Sequence, residues 1–320
     1  MHVIIPVAGK GTRLRPHTHT VPKPLMDIAG KTVLDHILDR LEGLPVTDII
    51  FITGHLGEQF KTYKTKYVVK TVEQKEQKGT AHAIGLTKQF IHEPMLIIFA
   101  DTIFDADLSI INTTDADGII WAKEVEDYQR FGVILHNKGV MEKIIEKPTE
   151  PISKLANIGL YYIKDYQSLF AGIDHVMHQP PGKGGEYFLT DAFQYMVDQG
   201  KKIKVEEVAG WYDCGTWEIM IDTNRQLLNQ KSKYRAVEGS TIIPPVWIAD
   251  SAVITNSVVG PNVSVGEKVV IENSVISDSI LSKGAAVHNA VLTESMIAQD
   301  AHVRGVRRKV SLGAHSTYSV

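Results

Sequence analysis

Cysteine is nearly absent: Cys214 is the one thiol in 320 residues. An internal disulfide is therefore excluded, and a reducing, cytoplasmic setting fits. No apolar run approaches the ~20 residues of a membrane-spanning helix. Met1 leads directly into "HVIIPV" with neither a charged n-region nor a long apolar h-region, so no secretory signal is expected. Excess charge is missing too. A formal net charge of -3 gives no global attraction to nucleic acid or to an anionic membrane, neither of which is an expected partner. Any anion site must be local. Thirteen histidines are present, yet none stands in a metal-ligand or triad pattern; His17, His19, His82 and His92 read as surface residues. What remains is a chain 43% hydrophobic, long enough for a real core and two domains.

The densest information is in "IIPVAGKGTRLRPHTHTVPKPLMDIAGK", Ile4 to Lys31. Val3 to Val7 is a short β-branched run with turn residues behind it, which predicts a buried strand. Gly9 and Gly11 follow, and lacking Cβ they let backbone N–H groups turn toward a ligand. Successive N–H groups in a concavity bind phosphate oxygens, with Thr12 adding a hydroxyl and Arg13 a planar fork. One residue separates the glycines, so the stretch is not a P-loop. Leu14 stands where a dinucleotide fingerprint needs Gly or Ala. Beyond it "KTVLDHILDRLEGL" carries an apolar face and predicts an amphipathic helix.

"GKGTRLRP" followed by "PKPL" resembles the signature of the sugar-1-phosphate nucleotidylyltransferases, the nucleotide-sugar pyrophosphorylases. The resemblance is closest in pattern to the glucose-1-phosphate thymidylyl- and uridylyltransferases, and it extends over about the first 230 residues. It implies a Rossmann-like α/β domain with a mixed, mostly parallel sheet. The alternation of apolar runs with amphipathic segments independently suggests such a domain. By the same resemblance Ala8, Gly9, Gly11 and Thr12 wrap a nucleoside triphosphate, Arg13 steadies the leaving pyrophosphate, and Lys23 contacts phosphate. In "VEQKEQKGTAHAIGL", Gln74 and Gly79 match the side chain and backbone amide that read uracil or thymine, with Thr80 opening a helix. Gln77 competes for the side-chain role, and UTP and dTTP remain equal choices.

The strand in "MLIIFADTIF" is expected to end at Asp101, and "WYDCGTW" supplies Asp213. The resemblance makes these the carboxylates for a magnesium ion, which favours oxygen ligands and keeps some waters. Cys214 reads as packing. The chemistry needs no nucleophile–base pair. A sugar phosphate oxygen is already anionic and can attack the α-phosphorus in line, so alignment and charge neutralisation suffice.

Further segments match the family in order: Gly132 in "QRFGVIL", Glu146 and Lys147 in "IIEKPTEP", Asn157 and Gly159 in "ANIGLYYI", Glu186 and Thr190 in "GGEYFLTDAF". The resemblance places them around the sugar 1-phosphate, for which glucose is the default. A guanylyltransferase using mannose 1-phosphate and a non-catalytic regulatory or scaffold subunit of the same fold stay open.

From Ile248 the character changes. Ile254, Ile271, Val287 and Val303 align at a spacing of sixteen to seventeen residues, and two places on stand Asn256, Asn273, Asn289 and Gly305. That period signals a solenoid, and it resembles the left-handed β-helix of hexapeptide-repeat proteins. About four coils are too few for an acyl-donor site. The expected division is a catalytic domain over 1–233 and a β-helix over 241–320, joined by the polar stretch 229–240. All candidate site residues precede Glu218, so the tail reads as separable. Its open ends favour packing on the catalytic domain or on another subunit, and the resemblance implies a homo-oligomer.

Overall fold

The first strand forms from the apolar run, His2–Pro6, with Val3, Ile4 and Ile5 wholly buried. A computed structural model describes residues 1–305 and 310–319. They form two units, Met1–Gly9 with Leu38–Trp211, and Lys10–Ile37 with Tyr212–Val320.

The first unit is a nine-stranded mixed sheet. In spatial order its strands are Val69–Glu73, Asp48–Thr53, His2–Pro6, Met95–Ile98, Leu155–Ile163, Gly118–Glu124, Ile203–Glu207, Val140–Glu146 and Gly132–Asn137. The first four run parallel, and their residues are buried on both faces in the central three, as parallel strands require. Leu155–Ile163 joins antiparallel, and the far edge is the hairpin Gly132–Asn137 with Val140–Glu146. Helices Tyr166–Met177 and Leu189–Asp198 pack together through Leu169, Phe170, Ile173, Leu189, Phe193 and Met196. Gly172 permits this approach: a Cβ there would sit 2.8 Å from the Ala192 carbonyl oxygen.

Two expected elements are shorter than their apolar patterns. The helix expected over 31–44 spans Val33–Asp39, after which the chain tightens into a turn with Leu41 N bonded to Leu38 O at 3.1 Å. The helix entered at Thr80 stops at Gly85, and a separate turn at Lys88–Phe90 follows.

The second unit contains three parallel sheets of short strands, consistent with a left-handed β-helix. The expected column is a true ladder: Ile254 pairs with Ile271, Ile271 with Val287, and Val287 with Val303, all buried. The residues two places on turn the corner with positive φ, 46° at Asn256, 48° at Asn273, 54° at Asn289 and 72° at Gly305. Asparagine and glycine tolerate that left-handed geometry best. Serines continue the column inside: Ser257 Oγ accepts from Ser274 N at 3.0 Å and Ser274 Oγ from Ala290 N at 3.1 Å.

The stretch expected as a linker is partly structured. Asn229 and Gln230 end the helix Trp217–Gln230, and Lys233 pairs with Trp247, its N–H bonded to Val246 O at 2.8 Å. The solenoid therefore starts before Ile248, with Thr241–Ile242 and Val246–Ile248 as rungs.

Lys10–Ile37 packs on the tail within the same unit. Gly30, at φ +83°, lies against the Trp247 indole, where a Cβ would fall 2.0 Å from a ring atom. Buried Asn224 ties the two together: Oδ1 accepts from Ala29 N at 2.9 Å and Ser264 Oγ at 2.6 Å, and Nδ2 donates to Asn262 O at 3.2 Å. His17, expected at the surface, is 3% exposed and lies 2.8 Å from Ser311 Oγ through Nε2. Burial lowers its pKa to about 4, so the bonded ring is neutral.

Candidate active site

In the first unit, Gln74 directly follows the strand Val69–Glu73 and is 7% exposed. Its Nε2 donates to Gly79 O at 3.2 Å and contacts His82 Nδ1 at 3.1 Å. Both amide protons are thus engaged, and the group that Gln74 can offer a ligand is its carbonyl oxygen. Half-buried His82 is not the plain surface residue its sequence context suggested. Gly79 adopts φ +104°, and a Cβ there would collide with Tyr187 backbone atoms at 2.4 and 2.6 Å. Thr80 Oγ1 accepts from Leu189 N at 2.9 Å, so this threonine caps a distant helix rather than its own. Exposed Gln77 donates to Ala8 O at 2.8 Å, next to the glycine-rich loop.

A second cluster forms where the edge hairpin meets the strand Leu155–Ile163. Asn157 Nδ2 donates to Gly132 O at 2.9 Å, and Thr190 Oγ1 donates to Glu146 Oε2 at 3.1 Å. Gly132 must be glycine here: a Cβ would lie 2.4 Å from Asn157 Nδ2 and 2.9 Å from both Glu146 Oε2 and Thr190 Cγ2. Burial raises the Glu146 pKa, while Lys147 and the Thr190 hydrogen bond pull it back down. Lys147 turns at φ +44° and holds Nζ 3.8 Å from Glu146 Oε1 and 5.2 Å from the Phe188 ring centre. Gly159, at φ +77°, abuts Phe99, and exposed Glu186 is not drawn into these contacts.

Tyr161 was missed in the sequence. Its buried hydroxyl donates to Asn157 Oδ1, and its pKa is driven well above the phenol value by burial, then by the charges of Glu146 and Asp101. The signal was a hydroxyl in an otherwise apolar run, four residues beyond Asn157. Trp211 packs edge-on against Phe131 at 5.1 Å, and its buried Nε1 has no hydrogen-bond partner among the described residues. Asp101 is exposed, beyond a strand that ends at Ile98 rather than at the acid itself.

In the second unit, Gly11 takes φ +60° and its carbonyl accepts from Thr18 Oγ1 at 2.8 Å. The turn Thr12–Leu14 anchors buried Leu14 and leaves Thr12 and Arg13 exposed, while Lys23 opens the turn Lys23–Leu25. Asp213 is half-buried, and a Cβ on Gly215 would stand 2.9 Å from its Oδ1. The bare glycine keeps space beside that carboxylate. Cys214 is buried, as a packing role expects.

The family model described as nucleotidyl transferase matches residues 2–230. The chain belongs to the nucleotidyl transferase family. It is 30% identical over 246 residues to the UTP–glucose-1-phosphate uridylyltransferase AglF of Haloferax volcanii, covering 73% of this chain and 99% of that protein. It is 34% identical over 235 residues to the bifunctional protein GlmU of Methanococcus maripaludis, covering 72% of this chain and 55% of that one. The match thus spans little more than half the length of that relative. A UDP-glucose pyrophosphorylase solved with UDP-glucose superposes with TM-score 0.63 at 25% identity, covering 72% of this chain and 99% of that structure.

Proposed function

We propose that this nucleotidyl transferase joins a pyrimidine nucleoside triphosphate, UTP or dTTP, to a hexose 1-phosphate, releasing pyrophosphate and an NDP-sugar. Glucose 1-phosphate is the first acceptor to test. The observation that carries the reading is the convergence of Gly132, Glu146, Asn157 and Thr190 into one hydrogen-bonded cluster. Carboxylate, carboxamide and hydroxyl groups at fixed geometry are what sugar hydroxyls require.

In this reading Gln74 Oε1 accepts from the imide N–H of the base while the Gly79 N–H donates to a base oxygen. The engagement of Gln74 Nε2 supports that polarity. Ala8, Gly9, Gly11 and Thr12 cradle the phosphates, assisted by Thr80 at its helix start. Lys147 binds the sugar phosphate, with Gly159 and Glu186 bordering the sugar. The phosphate oxygen attacks the α-phosphorus in line, and Arg13 and Lys23 neutralise the charge that grows on the departing pyrophosphate. Asp101 and Asp213 would hold Mg²⁺. Their hard oxygen donors and the space kept by Gly215 suit it, and the ion would supply further charge neutralisation. Residues 1–233 form the catalytic domain and 241–320 the β-helix domain, in a cytoplasmic homo-oligomer.

The test is a matrix of the four triphosphates against several sugar 1-phosphates, read by pyrophosphate release. Turnover confined to UTP or dTTP is the expected result. Preference for GTP with mannose 1-phosphate would replace the proposal with guanylyl transfer, and release from no pair would indicate a non-catalytic subunit.

A further inference from the structure

The proposed nucleotide residue Ala8 and the proposed metal ligand Asp101 lie beyond the C-terminal ends of parallel strands. A different cluster sits where two of those strands begin. His2 opens the first strand and pairs with Met95, which His92 and Glu93 precede by only a few residues. One ligand atom each from His2, His92 and Glu93 lie within 4.8 Å of one another.

The hydrogen bonds show which nitrogen of each imidazole is already engaged. His2 is 0% exposed, and its Nδ1 is 2.7 Å from Asp48 Oδ1. Lys70 Nζ holds the other oxygen of that carboxylate at 2.6 Å. An ionised carboxylate can only accept, so His2 Nδ1 donates to Asp48. Its Nε2 is buried and has no hydrogen-bond partner among the described residues; Glu93 Oε1 stands 3.7 Å away. His92 Nδ1 is 3.1 Å from Phe90 O, a carbonyl that also only accepts, so Nδ1 is the donor there too. The two rings meet edge-on with centres 4.7 Å apart. Glu93 turns Oε2 toward the Met1 amino group at 3.3 Å and Oε1 toward His2.

Two imidazole nitrogens and a carboxylate oxygen are therefore gathered within 4.8 Å, and the buried His2 Nε2 among them lacks a hydrogen-bond partner among the described residues. A cation bound there would satisfy that nitrogen and add to the pairing that the Met1 amino group gives Glu93. A tetrahedral zinc with ~2.0–2.1 Å bonds would place its ligands about 3.3 Å apart, so the exposed His92 and half-buried Glu93 side chains would close in by about 1.5 Å on binding. The pair Asp48–His2 also has the form by which a carboxylate fixes the tautomer of a metal-bound histidine. We propose that His2, His92 and Glu93 bind a first-row divalent transition metal of the zinc class, with Asp48 as the orienting partner. The nitrogen donors separate this site from one for magnesium. The ion would staple the start of the first strand to the approach of the strand Met95–Ile98.

The experiment uses the full-length, tag-free chain, stripped with chelator and titrated with Zn²⁺ and Co²⁺ in excess Mg²⁺. One equivalent should bind, Co²⁺ should show tetrahedral d–d absorption, and saturating Zn²⁺ should raise the thermal midpoint by about 5 °C or more. The partly exposed positions allow His92→Ala and Glu93→Gln, which should each lose that equivalent while keeping a wild-type circular dichroism spectrum. Asp48→Asn should weaken affinity by about 10–100-fold. Zn²⁺ uptake that is equal in wild type and both ligand variants overturns the site. So does the absence of Zn²⁺ and Co²⁺ uptake by the wild-type chain.

Discussion

Residues fixed by a motif and residues fixed by distant packing behave differently here. Arg13 stands out in the sequence because a glycine-rich loop precedes it, and the structure leaves it exposed on the turn Thr12–Leu14. If both answer charge that develops in the transition state, as proposed, Arg13→Ala and Lys23→Ala should each lower kcat by about 10²-fold or more. Circular dichroism should stay unchanged, and wild-type turnover in either variant would remove that residue from the chemistry. His17 was not legible, because its partner Ser311 is 294 residues away and no local pattern reports such a contact. Its lowered pKa of about 4 carries a testable sign. Between the ordinary value near 6.5 and about 4, the unfolded chain takes up a proton that the native ring refuses. Stability should therefore fall as pH drops through that window, by at most ~3 kcal/mol. Above it, His17 adds no pH dependence. Urea unfolding of wild type and His17→Gln across this range should show a steeper acid loss for wild type, and parallel curves would exclude the effect.

At the scale of elements, periodicity succeeded where side chains stack and faltered where elements end. The column Ile254, Ile271, Val287, Val303 could be read because each coil repeats one apolar position, and every register pair matches. Helix ends were harder: Leu41 is apolar and buried like the helix before it, yet lies past the end at Asp39. The polar stretch 229–240 looked like a tether because Lys233 pairs through its backbone, which composition does not reveal. The docking of Lys10–Ile37 on the solenoid changes what truncation should do. Removing 241–320 deletes Trp247, Asn262, Ser264 and Ser311, the partners of Gly30, Asn224 and His17. Triphosphate affinity should drop at least about tenfold, and protease should cut within 10–37 of the truncated chain. Affinity equal to that of the full-length protein would show that the segment holds its shape unaided. The milder change Trp247→Ala should give an intermediate loss.

For the molecule as a whole, the expected self-association now has a surface to test. Val258, Val275 and Val291 pair in register, with Val275 and Val291 44% and 38% exposed, an outward apolar stripe on one solenoid sheet. Val275→Glu should shift sedimentation toward monomer, while a wild-type chain already monomeric would dispose of the homo-oligomer. The bond between His17 and Ser311 has one more consequence, which concerns time. A ribosome adds about 5–20 residues per second, so Ser311 emerges roughly 15–60 s after His17. Throughout that interval the first strand can pair with its neighbours, but the segment bearing Arg13 and Lys23 lacks the surface on which it rests. If Arg13 and Lys23 grip phosphate as proposed, nascent and prematurely terminated chains would carry a finished sheet and yet hold nucleotide weakly until the last coils are made.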